Sequence, residues 1–166
     1  MSYQSFEQVL QKCHTEEKEF WRVILEDDMA ERNVSEEDSM EHMRATWDAM
    51  LLAAATYEGN LNSSSGLVGG DGRRMEEYIR SAQTKSLCGE YVDTCIAGAL
   101  QMGESNACMK RIVAAPTAGA CGVLPAVLVP YFQKRCKDTD KILKAMYVAA
   151  GIGQIIATRS SISGAA

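Results

Sequence analysis

The stretch "RIVAAPTAGACGVLPAVLVPYF", residues 111–132, sets a single thiol, Cys121, at a glycine-flanked break in an apolar run. Pro125 suits the first turn of a helix, where its missing N–H costs nothing, so a helix through Leu124, Val127, Leu128 and Tyr131 is predicted to start at or just after Cys121. A thiol at that end meets unpaired N–H groups and the positive end of the helix dipole. Both lower its pKa and favour the metal-binding thiolate. Gly119 and Gly122 remove side chains beside it, and Thr117 adds a hydroxyl. The competing reading is a buried cysteine filling space near a kink at Pro130, since free cysteine packs as a small hydrophobe.

A second stretch, "NLNSSSGLVGGDGRRM" (residues 60–75), is rich in glycine and serine. Successive N–H groups in such a loop form anion nests, but the spacing matches neither a P-loop nor a strand-preceded dinucleotide motif. A loop that cups a small carboxylate-bearing molecule, with Asp71 available for an ammonium group, is one reading. A mobile connector is the other. His14 and His42 have no partners at triad or metal spacing.

These segments must be carried by helices. Periodicity is helical almost throughout and no sustained period-two alternation appears, so the chain is predicted to be all-α: one multi-helix, bundle-like domain over residues 1–166 with glycine-rich connecting loops. Ser35 and Asp38 have capping-box spacing, and Met40, Met43, Trp47, Met50, Leu51 and Ala54 form the stripe of a long helix that stops near Gly59. Upstream, a helix from Thr15 carries Phe20, Trp21, Ile24 and Leu25. Cys88, Tyr91, Cys95, Ile96 and Ala99 make a further stripe, expected to face a core. A last helix is capped by Thr139, with Ile142, Leu143, Met146 and Ile156 apolar and Ala149, Ala150, Gly151 and Gly153 leaving a face open to close approach.

At 166 residues with a net charge of −5, the chain can bury a core of its own, and it offers nucleic acid or an anionic membrane no electrostatic attraction. No run of about 18 uninterrupted apolar residues is present, and the N-terminus lacks signal-peptide character. The six cysteines form no CxxC pair, so reduced thiols in a cytoplasmic setting are expected. Cys13 and Cys136 neighbour charged residues and are expected to be partly exposed, and core packing is favoured for Cys108.

"SSSGLVGGDG", "RIVAAPTAGACGVLPAVL" and the terminal "SSISGAA" resemble, in that order along the chain, motifs of the catalytic alpha chain of iron-sulfur L-serine dehydratases, from about residue 36 to the end. The resemblance implies a cytoplasmic lyase that converts L-serine to pyruvate and ammonia with a 4Fe-4S cluster, one of whose ligands is the motif cysteine, here Cys121. It implies substrate contacts from three loops: Ser63, Ser65, Gly66, Gly70 and Asp71; Thr117, Ala118 and Gly119; and Ser161, Ser163 and Gly164. The implied partners are a beta subunit or beta domain and a following cysteine-bearing segment with further cluster ligands. The chain is therefore expected to be an N-terminal portion of the catalytic part, inactive and without a stable cluster by itself, and inclined to self-associate. The sequence departs from the family pattern around Asn62 and Ser64 and at Lys110. A non-catalytic helical module for a small anion or a partner helix, and a related lyase acting on cysteine, are the alternatives. No residue is assigned as general base.

Overall fold

The computed structural model of the chain describes residues 3–81 and 86–160. Among them there are seven α-helices and no strand, as an all-α chain requires. They belong to two compact units, one formed by Met1–Trp47 with Asp138–Ala166 and the other by Asp48–Lys137.

The first unit contains α1 (Phe6–Thr15), α2 (Phe20–Arg32), the start of α3 (Glu36–Ala55) and α7 (Thr139–Arg159). The helix expected to begin at Thr15 begins instead at Phe20, and Thr15 is the last residue of α1, a helix the sequence reading did not place. Ser5 caps α1 through its Oγ, which accepts from the Gln8 N–H at 3.3 Å, and Glu17 at φ 52° interrupts the helical path before α2. The Ser35–Asp38 capping box is formed: Asp38 N–H donates to Ser35 Oγ at 3.1 Å and Ser35 N–H to Asp38 Oδ2 at 3.3 Å. For α7 the cap is Asp138, one residue before the expected Thr139, with its Oδ1 accepting from Asp140 and Lys141 N–H.

Val9, Val23, Ile24, Leu25, Tyr147 and Ile155 form the core of this unit, with Phe20, Met40 and Met43 packed against it. Ile155, not the expected Ile156, is the buried member; Ile156 is half exposed. The small face of α7 does admit a neighbour, because a Cβ at Gly151 would lie 2.6 Å from Ile24 Cδ1. Buried Tyr147 joins three helices through its hydroxyl, 2.7 Å from Ser39 Oγ, which in turn donates to Asp28 Oδ2 at 2.5 Å.

The second unit contains the end of α3, α4 (Asp71–Arg80), α5 (Glu90–Ala107), a 3-10 turn (Ala118–Ala120), α6 (Val123–Tyr131) and a π-helical turn (Phe132–Cys136). Pro125 does sit in the first turn of α6. Pro130 near its end has no N–H to give, and the wider π turn follows at once.

The expected stripe on α5 is not its buried face. Asp93, Ala97, Met102, Glu104 and Ser105 are buried, whereas Cys88 precedes the helix and is exposed, and Ile96 and Ala99 are exposed. Two polar residues take buried places because each has partners inside the unit: Ser86 Oγ donates to Asp93 Oδ1 at 2.8 Å, and Glu104 caps another helix, as described below. Two apolar rows with a four-residue repeat are left on the surface, Val92, Ile96 and Leu100 on α5 and Val123, Val127 and Tyr131 on α6.

Candidate functional site

The glycine-rich loop closes on itself. Ser63 N–H donates to Val68 O at 2.8 Å, Gly66 N–H to Ser63 O at 2.8 Å and Val68 N–H to Ser63 Oγ at 3.1 Å. The Ser63 and Ser65 hydroxyls are 3.1 Å apart. The two candidate serines therefore build the loop with their own side chains. Gly66 and Gly70 take left-handed backbone at φ 72° and 82°, which glycine adopts without a steric penalty, and Gly70 leads directly into α4, whose first residue, Asp71, lies inside the stretch expected to be loop.

The N–H groups at the start of α4 would be the natural place for an anion. They are occupied by a protein carboxylate. Glu104, buried on α5, accepts through Oε1 from Asp71 N–H at 2.5 Å and Gly72 N–H at 3.1 Å, and through Oε2 from the Tyr57 hydroxyl at 2.5 Å. Burial, then the adjoining Glu104 carboxylate, raises the Tyr57 pKa, so the phenol stays a donor. Gly72 is pressed into this knot, where a Cβ would stand 2.8 Å from both Tyr57 Oη and Gln101 Cγ. The Asp71 carboxylate is exposed and pairs with Arg74 at 2.7 Å.

Thr117, Ala118 and Gly119 form the entry to the 3-10 turn that precedes Cys121. Thr117 O accepts from Ala120 N–H at 3.1 Å, and Ala118 O accepts from Cys121 N–H at 3.2 Å and from Asn106 Nδ2 at 3.1 Å. A cis Ala115–Pro116 bond lies just upstream. Gly119 is open, its nearest neighbour to a Cβ being Thr117 Oγ1 at 3.8 Å. Gly122 instead admits the backbone of α5, with a Cβ there only 3.0 Å from Ala99 O.

The last turns of α5 thus hold both motif segments: Glu104 fixes the end of the glycine loop and Asn106 fixes the 3-10 turn. Sequence reading missed Tyr57, Glu104 and Asn106. The available signal was a lone carboxylate in "GALQMGESNACM", an otherwise uncharged helical run, where an acid is expected only with buried partners.

Cys121 does not sit at the first turn of α6. It lies between the 3-10 turn and Gly122, the N-cap, and is 1% exposed in an apolar cluster with Ala53, Met102 and Ile112. Its Sγ donates to Met102 O at 3.7 Å. Burial pushes the thiol pKa up, opposite to the depression expected from a helix N-terminus, because desolvation outweighs the local N–H dipoles. Of the other cysteines, Cys13, Cys95, Cys108 and Cys136 are half-buried. Among the described residues no group of three or more His, Cys, Asp or Glu side chains converges on a point where it could hold a metal. The described residues do not fit a cluster: they offer one thiol of the motif, covered and protonated. Ser161, Ser163 and Gly164 lie outside the described residues. No described helix is long and apolar enough to cross a membrane.

An all-α chain in which one helix anchors a self-closed glycine-serine loop and a PTAGACG turn is the framework these motifs require. By comparison with known proteins, the chain belongs to the serine dehydratase alpha chain family, whose model matches residues 15–166 and so extends upstream of the motifs. It is 32% identical over 144 residues to a probable L-serine dehydratase alpha chain of Bacillus subtilis, covering 87% of this chain and 47% of that one. Against the L-serine dehydratase alpha chain of Peptoniphilus asaccharolyticus it is 30% identical over 162 residues, 95% of this chain and 54% of that one. L-serine dehydratase 2 of Escherichia coli is 45% identical over a shorter stretch of 69 residues, covering 40% of this chain and 15% of the relative. The chain spans about half the length of the curated alpha chains it matches. No solved structure matches.

Proposed function

We propose that the chain is the part of an L-serine ammonia-lyase that supplies the substrate-facing loops of its alpha chain. The reaction would remove the α-proton and the β-hydroxyl of L-serine to give aminoacrylate, which tautomerises to the imine and hydrolyses to pyruvate and ammonia. The observation that carries this is family membership over residues 15–166; the two motif segments held on the last turns of α5 support it. Gly66, Gly70 and Asp71 on one side, with Thr117, Ala118 and Gly119 on the other, are the substrate contacts in this reading, joined by Ser161, Ser163 and Gly164. Ser63 and Ser65 shape the loop.

The 4Fe-4S cluster belongs to the reading through resemblance. Cys121 would serve it only after its burial against Met102 and Ile112 is relieved, and with ligands from beyond the described residues. For the same reason the chain alone is not expected to turn over: the described residues supply neither an assigned base nor a group to take up the leaving hydroxide. A beta subunit or domain and further alpha-chain residues would complete the assembly.

The test is pyruvate formation from L-serine, followed anaerobically for the assembly isolated from its source cell and for the 166-residue chain. The proposal expects pyruvate from the assembly and none from the chain. An assembly that leaves L-serine unchanged overturns it.

A further inference from the structure

Helices α5 and α6 pack antiparallel. From the start of α6 to the turn that follows it, Cys121 Sγ donates to Met102 O at 3.7 Å, Tyr91 Oη to Val127 O at 3.2 Å and Lys134 Nζ to Glu90 Oε1 at 2.7 Å. The two meet closely, since a Cβ at Gly98 would lie 3.4 Å from Ala126 Cα. On one side of the pair, Ala97, Gln101, Pro125 and Val129 line a cavity together with Ala54 of α3 and Glu76 of α4. That side is the interior of the unit.

The other side carries a seam that looks like an interior too. On α5, Val92, Ile96, Ala99 and Gly103 recur at the alternating intervals of a helix-packing stripe, yet all four are exposed. They centre roughly a third of a turn round α5 from the Gly98 edge. Val123, Val127 and Tyr131 centre roughly a third of a turn round α6 from Ala126, in the same rotational sense. Because the helices run in opposite directions, the same sense brings both rows to one side of the pair. Every exposed residue of α5 from Val92 to Gly103 is apolar, and α6 holds no charged residue. A helix at a protein surface turns polar residues outward, so an uncharged double row marks a face that another element covers.

Two observations name the occupant. The alpha-chain relatives compared above are matched over only 47% and 54% of their length, so about as much polypeptide again has to pack on a unit of this kind. The seam is also continuous with the candidate site. It ends at Gly103, next to Glu104, and beside the turn whose Ala118 O is held by Asn106 Nδ2 at 3.1 Å. We propose that this seam receives a helix, apolar on the face it presents, from the half of the alpha chain that the present residues do not match, laid along α5 and α6 and reaching the PTAGACG turn. The inference rests on the alpha-chain reading above and adds where the second half docks. Gly103 suits close backbone approach, since a Cβ there would have nothing within 4 Å.

The experiment puts a benzophenone amino acid in place of Val127 or, separately, Ile96 in the assembly made by the source cell, and identifies the photoproduct by mass spectrometry. An adduct with the half of the alpha chain not matched here is expected. Maleimide labelling of Val127→Cys gives a second readout. It should be about tenfold or more slower in the assembly than in the 166-residue chain, kept dilute enough to be monomeric. Val127 is half exposed, so Val127→Cys should melt with the parent. An adduct with the matched half of a second copy, an adduct with a beta subunit, reaction with solvent alone, or labelling at the same rate in both forms overturns the proposal. Neither readout needs turnover. An assembly that makes no pyruvate yet gives the expected adduct removes the proposed function alone. Pyruvate from an assembly whose Val127→Cys labels as fast as the isolated chain removes this inference alone.

Discussion

Cys121 shows how one side chain can be read two ways from sequence and one way from its surroundings. Its neighbours in the chain point to an exposed, activated thiolate, while its neighbours in space are Ala53, Met102 and Ile112, which keep it dry and protonated. A pKa higher in the folded than in the unfolded state means the folded chain holds its proton more tightly. The associated stability is complete below the unfolded thiol pKa of about 8.5 and declines as pH rises past it toward the folded value. Tyr147, also raised by burial, adds a separate loss that sets in only as pH passes the unfolded phenol value of about 10. The urea midpoint is therefore expected to fall between about pH 7.5 and about pH 10, and less steeply in Cys121→Ala, which itself should cost about 1–2 kcal/mol from lost packing. A midpoint equally pH-sensitive in the variant would show that the thiol is not responsible. Alkylation offers a second check: iodoacetamide should modify exposed Cys88 quickly and Cys121 only on unfolding.

Among the elements, α5 does most to organise the second unit. Glu104→Ala leaves two N–H groups of α4 and the Tyr57 O–H without the carboxylate that accepts from them, an expected loss of about 2–4 kcal/mol. Faster amide exchange at Asp71 and Gly72 should accompany it. Glu104→Gln keeps the acceptor and should cost roughly half as much. Gly72→Ala drives a methyl against Tyr57 and Gln101 and is expected to cost about 1–3 kcal/mol in denaturant titration. The helices themselves were largely legible, because the Met40–Trp47 stripe, the Ser35–Asp38 box and Pro125 are local signals that local physics obeys. The buried face of α5 was not. Apolar spacing nominated Cys88, Tyr91, Cys95 and Ile96, whereas the helix turns Asp93 and Glu104 inward, Asp93 satisfied by Ser86 in the segment just before α5 and Glu104 by Tyr57 and the start of α4. The same reason hid the candidate site: the glycine loop reads as an anion nest until Glu104, 33 residues from Asp71, is seen to fill it.

At the scale of the whole molecule, the second unit carries two apolar rows, Val92–Ile96–Leu100 and Val123–Val127–Tyr131, that solvent covers poorly. The isolated chain is expected to self-associate reversibly, with sedimentation velocity showing species larger than the monomer at high concentration. Val127→Lys, on the exposed side of α6, should shift that equilibrium toward the monomer without lowering the melting temperature. The division into units has a consequence for the order of synthesis. Asp48–Lys137 is continuous in sequence, so its helices are all synthesised before α7 is translated. The core of Val9, Val23, Ile24 and Leu25, by contrast, must wait for Tyr147 and Ile155, made more than a hundred residues later. During that interval α1 and α2 present an open apolar surface to chaperones and proteases, and on stalled chains cut to increasing lengths they should come to resist digestion later than the helices of Asp48–Lys137.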